Sequence, residues 1–209
     1  MRKRVYLASK SPRRLELLSA LGLDVIVVAG NNQTSGYFEG DEEVWPGELP
    51  EVYVRRIAET KWFEGWERIN ALPDFMAGIP LIAADTTVSL GNEILGKPKD
   101  PAEAKKFLQA LAGKTHEVRT CVVGGLSPDA RYSVVQTSIV HFRELRDSEL
   151  EEYIASGEPF DKAGGYGIQG LAGIFIERIE GSFTGIMGLP IAETATLLAR
   201  LGMPILGKI

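Results

Sequence analysis

Short apolar runs alternate along the chain with stretches of helical periodicity, so the pattern predicts interleaved strands and helices. Residues 5–8, Val5-Tyr6-Leu7-Ala8, read as a strand. A helix follows, with Ser11 at the N-cap, Pro12 at its first position, Leu15, Leu17, Leu18 and Leu21 at helical spacing, and Gly22 closing it. Residues 25–29 form a β-branched run suited to a buried strand, and residues 31–50 are polar, acidic and broken by Gly and Pro, as in a long loop. Residues 51–70 read as a helix, with Val54, Ile57 and Ala58 on one side and Trp62, Phe63 and Trp66 extending the apolar content.

Further along, residues 81–84 read as a strand ending at Asp85, and Gly91-Asn92-Glu93 turns into Ile94-Leu95 as a hairpin. Asp100-Pro101-Ala102-Glu103 opens a helix in capping-box form, with Ala104, Phe107, Leu108 and Leu111 as its buried stripe and Gly113 past its end. Residues 118–123 and 132–142 are strand-like, 147–156 an acidic helix ended by Gly157, 164–173 a glycine-rich stretch, 174–179 a strand and 191–201 the last helix. Interleaving without repeats implies an α/β protein with a mixed, largely buried sheet and flanking helices.

At 209 residues the expectation is one sizeable core, in one domain with two lobes. A formal charge of −5 argues against sequence-independent nucleic-acid binding, which needs a surplus of Lys and Arg on one face. Any basic site is then a local pocket. The single cysteine, Cys121, excludes a disulfide framework and a Cys-based zinc site and suits a reducing compartment. Met1-Arg2-Lys3-Arg4 resembles the start of a signal peptide, but Ser9-Lys10 interrupts the apolar stretch after four residues. No run approaches the ~18 apolar residues of a membrane span. The expectation is a soluble, cytoplasmic protein without a membrane partner. His116 and His141 lie too far apart in sequence to suggest a His-based metal site, whereas Mg²⁺ or Mn²⁺ held by carboxylates and substrate phosphates stays open.

Three segments carry candidate chemistry. Leu7-Ala8-Ser9-Lys10-Ser11-Pro12-Arg13-Arg14 places two arginines in the first turn of a helix, where cations cost about 0.3–1 kcal/mol each unless an anion sits between them. Ser9, Arg13 and Arg14, with the free backbone N–H groups, read as a phosphate site. The alternative is arginines that fan into solvent. Asp85 is an acid in a stretch that otherwise wants burial, with Lys97 just beyond the hairpin; either it is functional or it is a satisfied strand-end Asp. Lys61 sits among tryptophans over which its stem can simply lie.

The third segment, Asp161-Lys162-Ala163-Gly164-Gly165-Tyr166-Gly167-Ile168-Gln169-Gly170, contains G-x-G-x-x-G but leads into Ile174-Phe175-Ile176, so the dinucleotide reading fails. It offers Asp, Lys, Tyr and Gln spaced by residues too small to obstruct a ligand. A glycine-rich turn serving only the fold is the other reading.

Together with Ala84-Asp85-Thr86, Gly96-Lys97-Pro98-Lys99-Asp100 and Met187-Gly188-Leu189-Pro190, these segments resemble the Maf family of nucleoside triphosphate pyrophosphatases, in the family's order and over nearly the whole chain. The resemblance implies that residues 1–209 form one domain of the inosine triphosphate pyrophosphatase type, with two lobes around a cleft, commonly as a homodimer. It also implies hydrolysis of a nucleoside triphosphate to monophosphate and pyrophosphate with a divalent metal. Asp85 matches the general base and a possible metal ligand. Ser9, Arg13, Lys61, Lys97 and Lys162 match positions that handle phosphates or line the site. Arg13, Thr86 and Gln169 match the trio of the dTTP/UTP subgroup, where 7-methyl-GTP enzymes carry Trp, Gln and Glu. Gln169 can offer both a donor and an acceptor to a pyrimidine's N3–H and carbonyl.

One departure stands out. After the strand at 25–29 the family places one or more glutamates, and this chain has Asn31-Asn32-Gln33-Thr34, leaving Glu39, Asp41, Glu42 or Glu43 as substitutes. The reading is a metal-dependent dTTP/UTP pyrophosphatase, with modified pyrimidine nucleotides as a wider substrate set. A catalytically weak nucleotide-binding regulatory protein linked to cell division is the alternative.

Overall fold

The computed structural model describes residues 3–28 and 42–207. A single seven-stranded sheet runs through it, built from β1 (Arg4–Ala8), β2 (Asp24–Val27), β3 (Leu81–Leu90), β4 (Glu93–Leu95), β5 (Thr115–Ser127), β6 (Ala130–Phe142) and β7 (Ile176–Glu180). The order is β2-β1-β3-β5-β6-β7, with β4 beside β3. β1 pairs in parallel with β2 and β3, and every other pairing is antiparallel. Among the described residues six helices flank it: α1 (Pro12–Ala20), α2 (Pro50–Asn70), α3 (Pro101–Leu111), α4 (Asp147–Ala155), α5 (Phe183–Met187) and α6 (Ile191–Arg200). This is the mixed α/β architecture expected from the periodicity.

β3 positions the site. It does not end at Asp85 as its sequence suggests but continues to Leu90, paired with β5 from Leu81↔Gly125 to Ser89↔Glu117. Its other edge changes partner: Leu81–Ala83 pair with β1, and Val88–Leu90 pair with β4. Residues 84–87 therefore face a fork with no strand on that edge among the described residues. Ligands of open α/β sheets gather where strands diverge in this way, beyond the carboxyl end of a parallel strand.

Strand periodicity then decides what each fork residue meets. Leu81 and Ala83 pack with Val54, Ala58 and Trp62 of α2, whereas Ile82 and Ala84 pack with Leu17 and Leu18 of α1 and Leu197 and Leu198 of α6. Continuing the alternation turns Asp85 toward α2 and Thr86 toward α1. Helix α2 lies close on the sheet because residue 65 is Gly; a Cβ there would come within 2.5 Å of the Ala8 Cβ. A separate core fills the other end of the sheet, where Val88, Val118, Val140 and Phe142 pack with α3, α4, Tyr166 and Phe175.

Several local expectations need correction. Phe183–Met187 forms a helix that the periodicity does not predict. Ser182 caps it by accepting from the Gly185 N–H at 2.9 Å, and Gly188 ends it at φ +115°. The strand expected from 174 begins at Ile176, because Leu171–Phe175 is a 3₁₀ turn whose Leu171 N–H donates to Glu158 Oε2 at 2.9 Å. Ser11 stands at the N-cap of α1, but its side chain makes no capping bond. At α3, Asp100 accepts from the Glu103 N–H as expected, while Glu103 reaches the Lys99 N–H rather than that of Asp100. The Asn31–Thr34 segment, Glu39 and Asp41 lie outside the described residues.

Candidate active site

The fork opens into a cleft of about 350 Å³, lined on three sides by the turn after β1, the hairpin after β3 and the glycine-rich loop. Ser9, Arg13, Arg14, Lys61, Asp85, Thr86, Lys97, Lys162 and Gln169 all line it. Six cations and three carboxylates surround it, in a chain whose net charge is −5. The structure thus brings these nine side chains together from segments up to 160 residues apart.

The two arginines of α1 have different surroundings. Arg14 donates to Ser9 Oγ at 3.2 Å, to Thr86 Oγ1 at 3.2 Å and to the Gly188 carbonyl at 2.9 Å. Thr86 Oγ1 lies 2.9 Å from Thr120 Oγ1, and Thr120 donates to the Gly185 carbonyl at 2.7 Å. Arg14 therefore ties α1, β3 and the end of α5 into one wall. These acceptors offset the unfavourable place of a cation in the first turn. Burial pushes the Arg14 guanidinium down from its ordinary value, Asp85 opposes that, and Arg13 adds to it. Arg13 is more open and faces Asp161 at 3.8 Å.

Across the cleft, Lys61 occupies a position of the buried α2 stripe that runs through Val54, Ile57, Ala58, Trp62 and Ile69. Only about 8% of the residue is exposed, so its charge must be met inside the protein. Its Nζ lies 2.6 Å from Asp85 Oδ1 and 2.8 Å from Glu42 Oε1, and Lys97 Nζ donates to Glu42 Oε2 at 3.0 Å. The run Asp85, Lys61, Glu42, Lys97 alternates in charge along one wall. Glu42 thereby brings a carboxylate into the site from the acidic loop, the contribution that Asn31-Asn32-Gln33-Thr34 lacks. Sequence reasoning named Glu42 among four substitutes, and only the long-range pairing with Lys61 and Lys97 distinguishes it.

Burial alone would raise the Glu42 carboxyl, but the charges and hydrogen bonds of Lys61 and Lys97 outweigh it and hold the group below its ordinary value of 4.5. A depressed folded-state value adds stability that is complete above the unfolded value and lost as pH falls through the folded one. Glu42→Gln should therefore destabilise the protein at neutral pH by about 1 kcal/mol. The gap to the parent should narrow below about pH 4.5, as urea unfolding at several pH values will show.

The third wall is the glycine-rich loop. Its Gly164 N–H donates to the Gly96 carbonyl at 3.0 Å, which docks the loop beside Lys97. Gly164 and Gly165 adopt φ +67° and +73°, values that disfavour side chains. Lys162 donates to the Glu158 carbonyl at 2.7 Å and to Asp161 Oδ1 at 2.5 Å, and a Cβ at Gly167 would collide with its stem. Gln169 is exposed at the rim, without a hydrogen bond to any described residue. Val88, Val118 and Ile186 form an apolar floor. Cys121, paired across the sheet from Asp85, is no nucleophile here, since burial pushes its thiol up to about 12.

Among the described residues no cluster of three or more His, Cys, Asp or Glu side chains converges. The donor set on offer is the pair of carboxylates, Asp85 and Glu42, on either side of Lys61. Lys61 and Lys97 engage both Glu42 oxygens and Lys61 engages Asp85 Oδ1, so these hard oxygen donors suit a Mg²⁺-type ion only as a minority of its ligands, the rest coming from phosphates and water.

The model of the Maf family, described as "Maf-like protein", matches residues 4–201. The chain belongs to the Maf family. Among curated Maf relatives, the dTTP/UTP pyrophosphatase of Chromobacterium violaceum is 49% identical over 203 residues, covering 95% of each chain. The dTTP/UTP pyrophosphatases of Dechloromonas aromatica and Bordetella avium are 46% and 48% identical, over 95% and 96% of this Maf chain and 98% and 96% of theirs. Among solved structures, the nucleoside-triphosphatase / dITP/XTP pyrophosphatase of Mycobacterium abscessus overlaps 68% of this chain and 75% of its own, at 14% identity and a TM-score of 0.40.

Proposed function

We propose that this Maf protein hydrolyses dTTP and UTP to the monophosphate and pyrophosphate. The observation that carries the reading is the concentration of six cations around one deep carboxylate in a cleft of nucleotide size. The names of the relatives support the reaction and the substrate class.

In this reading a water attacks the α-phosphorus, a new O–P bond forms, and the bond to the bridging oxygen breaks with pyrophosphate leaving. Asp85 accepts the water's proton, held in orientation by the 2.6 Å contact from Lys61. Arg13, Lys97 and Lys162 meet the phosphate oxygens and offset the charge that spreads over them. Ser9 and Arg14 shape the phosphate end, where the backbone N–H groups of α1 also point. Asp85 and Glu42 would hold a divalent cation, Mg²⁺ or Mn²⁺, which supplies further charge neutralisation on the phosphates. Gln169 reads the base edge from the rim, with Arg13 and Thr86 completing the specificity trio. A cytoplasmic homodimer acting on a small-molecule substrate, without nucleic-acid or membrane partners, belongs to the same reading; no helix among the described residues is long and apolar enough to cross a membrane.

The test is product analysis with dTTP, UTP, CTP, GTP and 7-methyl-GTP in the presence of Mg²⁺ or Mn²⁺. Pyrophosphate released from dTTP and UTP in preference to the others is the expected result; tight binding without release would make the protein a sensor. Gln169→Glu should lower kcat/KM for dTTP and UTP about tenfold or more, because a carboxylate cannot donate to the base carbonyl. An equal loss on every nucleotide would count against base reading.

A further inference from the structure

Beneath the glycine-rich loop lies a buried polar pair that the proposed reaction does not use. Tyr166, about 5% exposed, forms part of the cleft wall, and its hydroxyl lies 2.7 Å from Nε2 of His116, a β5 residue about 2% exposed. Both rings meet Phe142 edge-on, at centroid distances of 4.9 Å for His116 and 4.8 Å for Tyr166. The surroundings are apolar: this is the core of Val88, Val118, Val140 and Phe175. Burial pushes His116 down to about 4, so it is a neutral imidazole at working pH.

A neutral imidazole and a phenol carry two donor hydrogens between them, and their mutual bond uses one. Nδ1 of His116 has no hydrogen-bond partner among the described residues. If Tyr166 donates, the Nδ1 hydrogen is the orphan; if His116 donates from Nε2, the Tyr166 hydroxyl hydrogen has no partner. Buried polar groups are nearly always satisfied, and two phenylalanines would fill the same space at no such cost. The pair therefore carries a penalty that packing alone does not justify.

The loop explains what the bond accomplishes. Gly164, Gly165, Gly167 and Gly170 surround Tyr166 and leave the backbone free to adopt many conformations. Lys162 stands four residues before Tyr166 and Gln169 three after it. An aromatic ring in an apolar pocket can slide and tilt, whereas a 2.7 Å hydrogen bond to a residue inside the sheet sets both its depth and its direction. We propose that His116 is a positioning residue: through the Tyr166 hydroxyl it anchors the glycine-rich loop so that Lys162 and Gln169 meet the nucleotide together. This inference rests on the nucleotide site of the preceding section.

The experiment compares Tyr166→Phe, His116→Gln and His116→Asn in steady-state hydrolysis of dTTP, with thermal melting of each. An Nε2 amide on Gln reaches the position of the imidazole Nε2, whereas the shorter Asn amide ends near Nδ1. Losing one hydrogen bond is expected to raise KM about three- to tenfold in Tyr166→Phe and His116→Asn, with kcat less affected. His116→Gln should stay near the parent. Adding His116→Asn to Tyr166→Phe should change little further, because both remove the same contact. An unaltered KM in Tyr166→Phe, or equal behaviour of the Gln and Asn variants, would overturn the proposal and leave a purely structural pair. Calorimetry with a non-hydrolysable dTTP analogue separates the two readings. If the parent binds without turnover, the enzymatic reading falls, and the same ranking is then sought in Kd; absence of any binding removes both.

Discussion

Asp85→Asn should lower turnover of dTTP and UTP by about 10²–10⁴-fold, the range typical of a lost general base, while the protein still folds and still binds nucleotide. The substitution changes no volume and leaves the pairing of residue 85 with Cys121 in β5 intact. An amide oxygen can still accept from Lys61, and Glu42 still faces the same ammonium at 2.8 Å. The variant therefore keeps shape and strand pairing and removes two properties an amide lacks, the capacity to take a proton from water and the negative charge that faces Lys61. Pyrophosphate release under single-turnover conditions gives the rate, and calorimetry gives the affinity. Turnover within a few fold of the parent would assign the proton to another group. A collapse of affinity with an unchanged rate in the bound state would make Asp85 a binding residue.

How much of this was legible beforehand depended on how local each determinant is. The α3 cap was readable because Asp100, Pro101 and Glu103 act within one turn, and the Asp100 to Glu103 bond forms at 2.8 Å. The apolar alternation of β5 and β6 likewise announces a sheet. Asp85 was harder: a carboxylate is a poor strand residue, yet β3 runs through it, paired with β5 on one edge and with a lysine from α2 meeting its charge. Ile174 and Phe175 read as the start of a strand but belong to the Leu171–Phe175 turn, whose Leu171 N–H donates to Glu158, thirteen residues earlier. Helix α5 did leave a signal in Ser182 and Gly188, its cap and stop, though five residues are too few to show a period. Glu42 could be named only as one of four acidic residues of its loop, since its place is decided by Lys61 and Lys97, nineteen and fifty-five residues away. Site residues carried by motifs could be named in advance, while the one recruited by charge pairing across the fold could only be narrowed to a short set.

Removal of Lys61 should have the largest effect on stability. In Lys61→Met a side chain of similar length fills the α2 stripe, but Asp85 and Glu42 are left facing one another without the ammonium between them. The Lys61 and Asp85 side chains are each about 10% exposed, so water replaces little of the lost interaction. Breaking a buried pair by removing one partner typically costs about 3–5 kcal/mol, which for a chain of this size lowers the melting temperature by on the order of 10 °C. The charge argument makes a second, sharper demand. A divalent cation added to the variant restores positive charge between the two carboxylates, so Mg²⁺ or Mn²⁺ should raise its melting temperature by more than that of the parent, where Lys61 already occupies the place between them. Calorimetric scans of both proteins with and without the ion decide it. Equal shifts would mean that the ion binds away from Asp85 and Glu42, and a variant as stable as the parent would mean that the Lys61 pairing contributes nothing net to the fold.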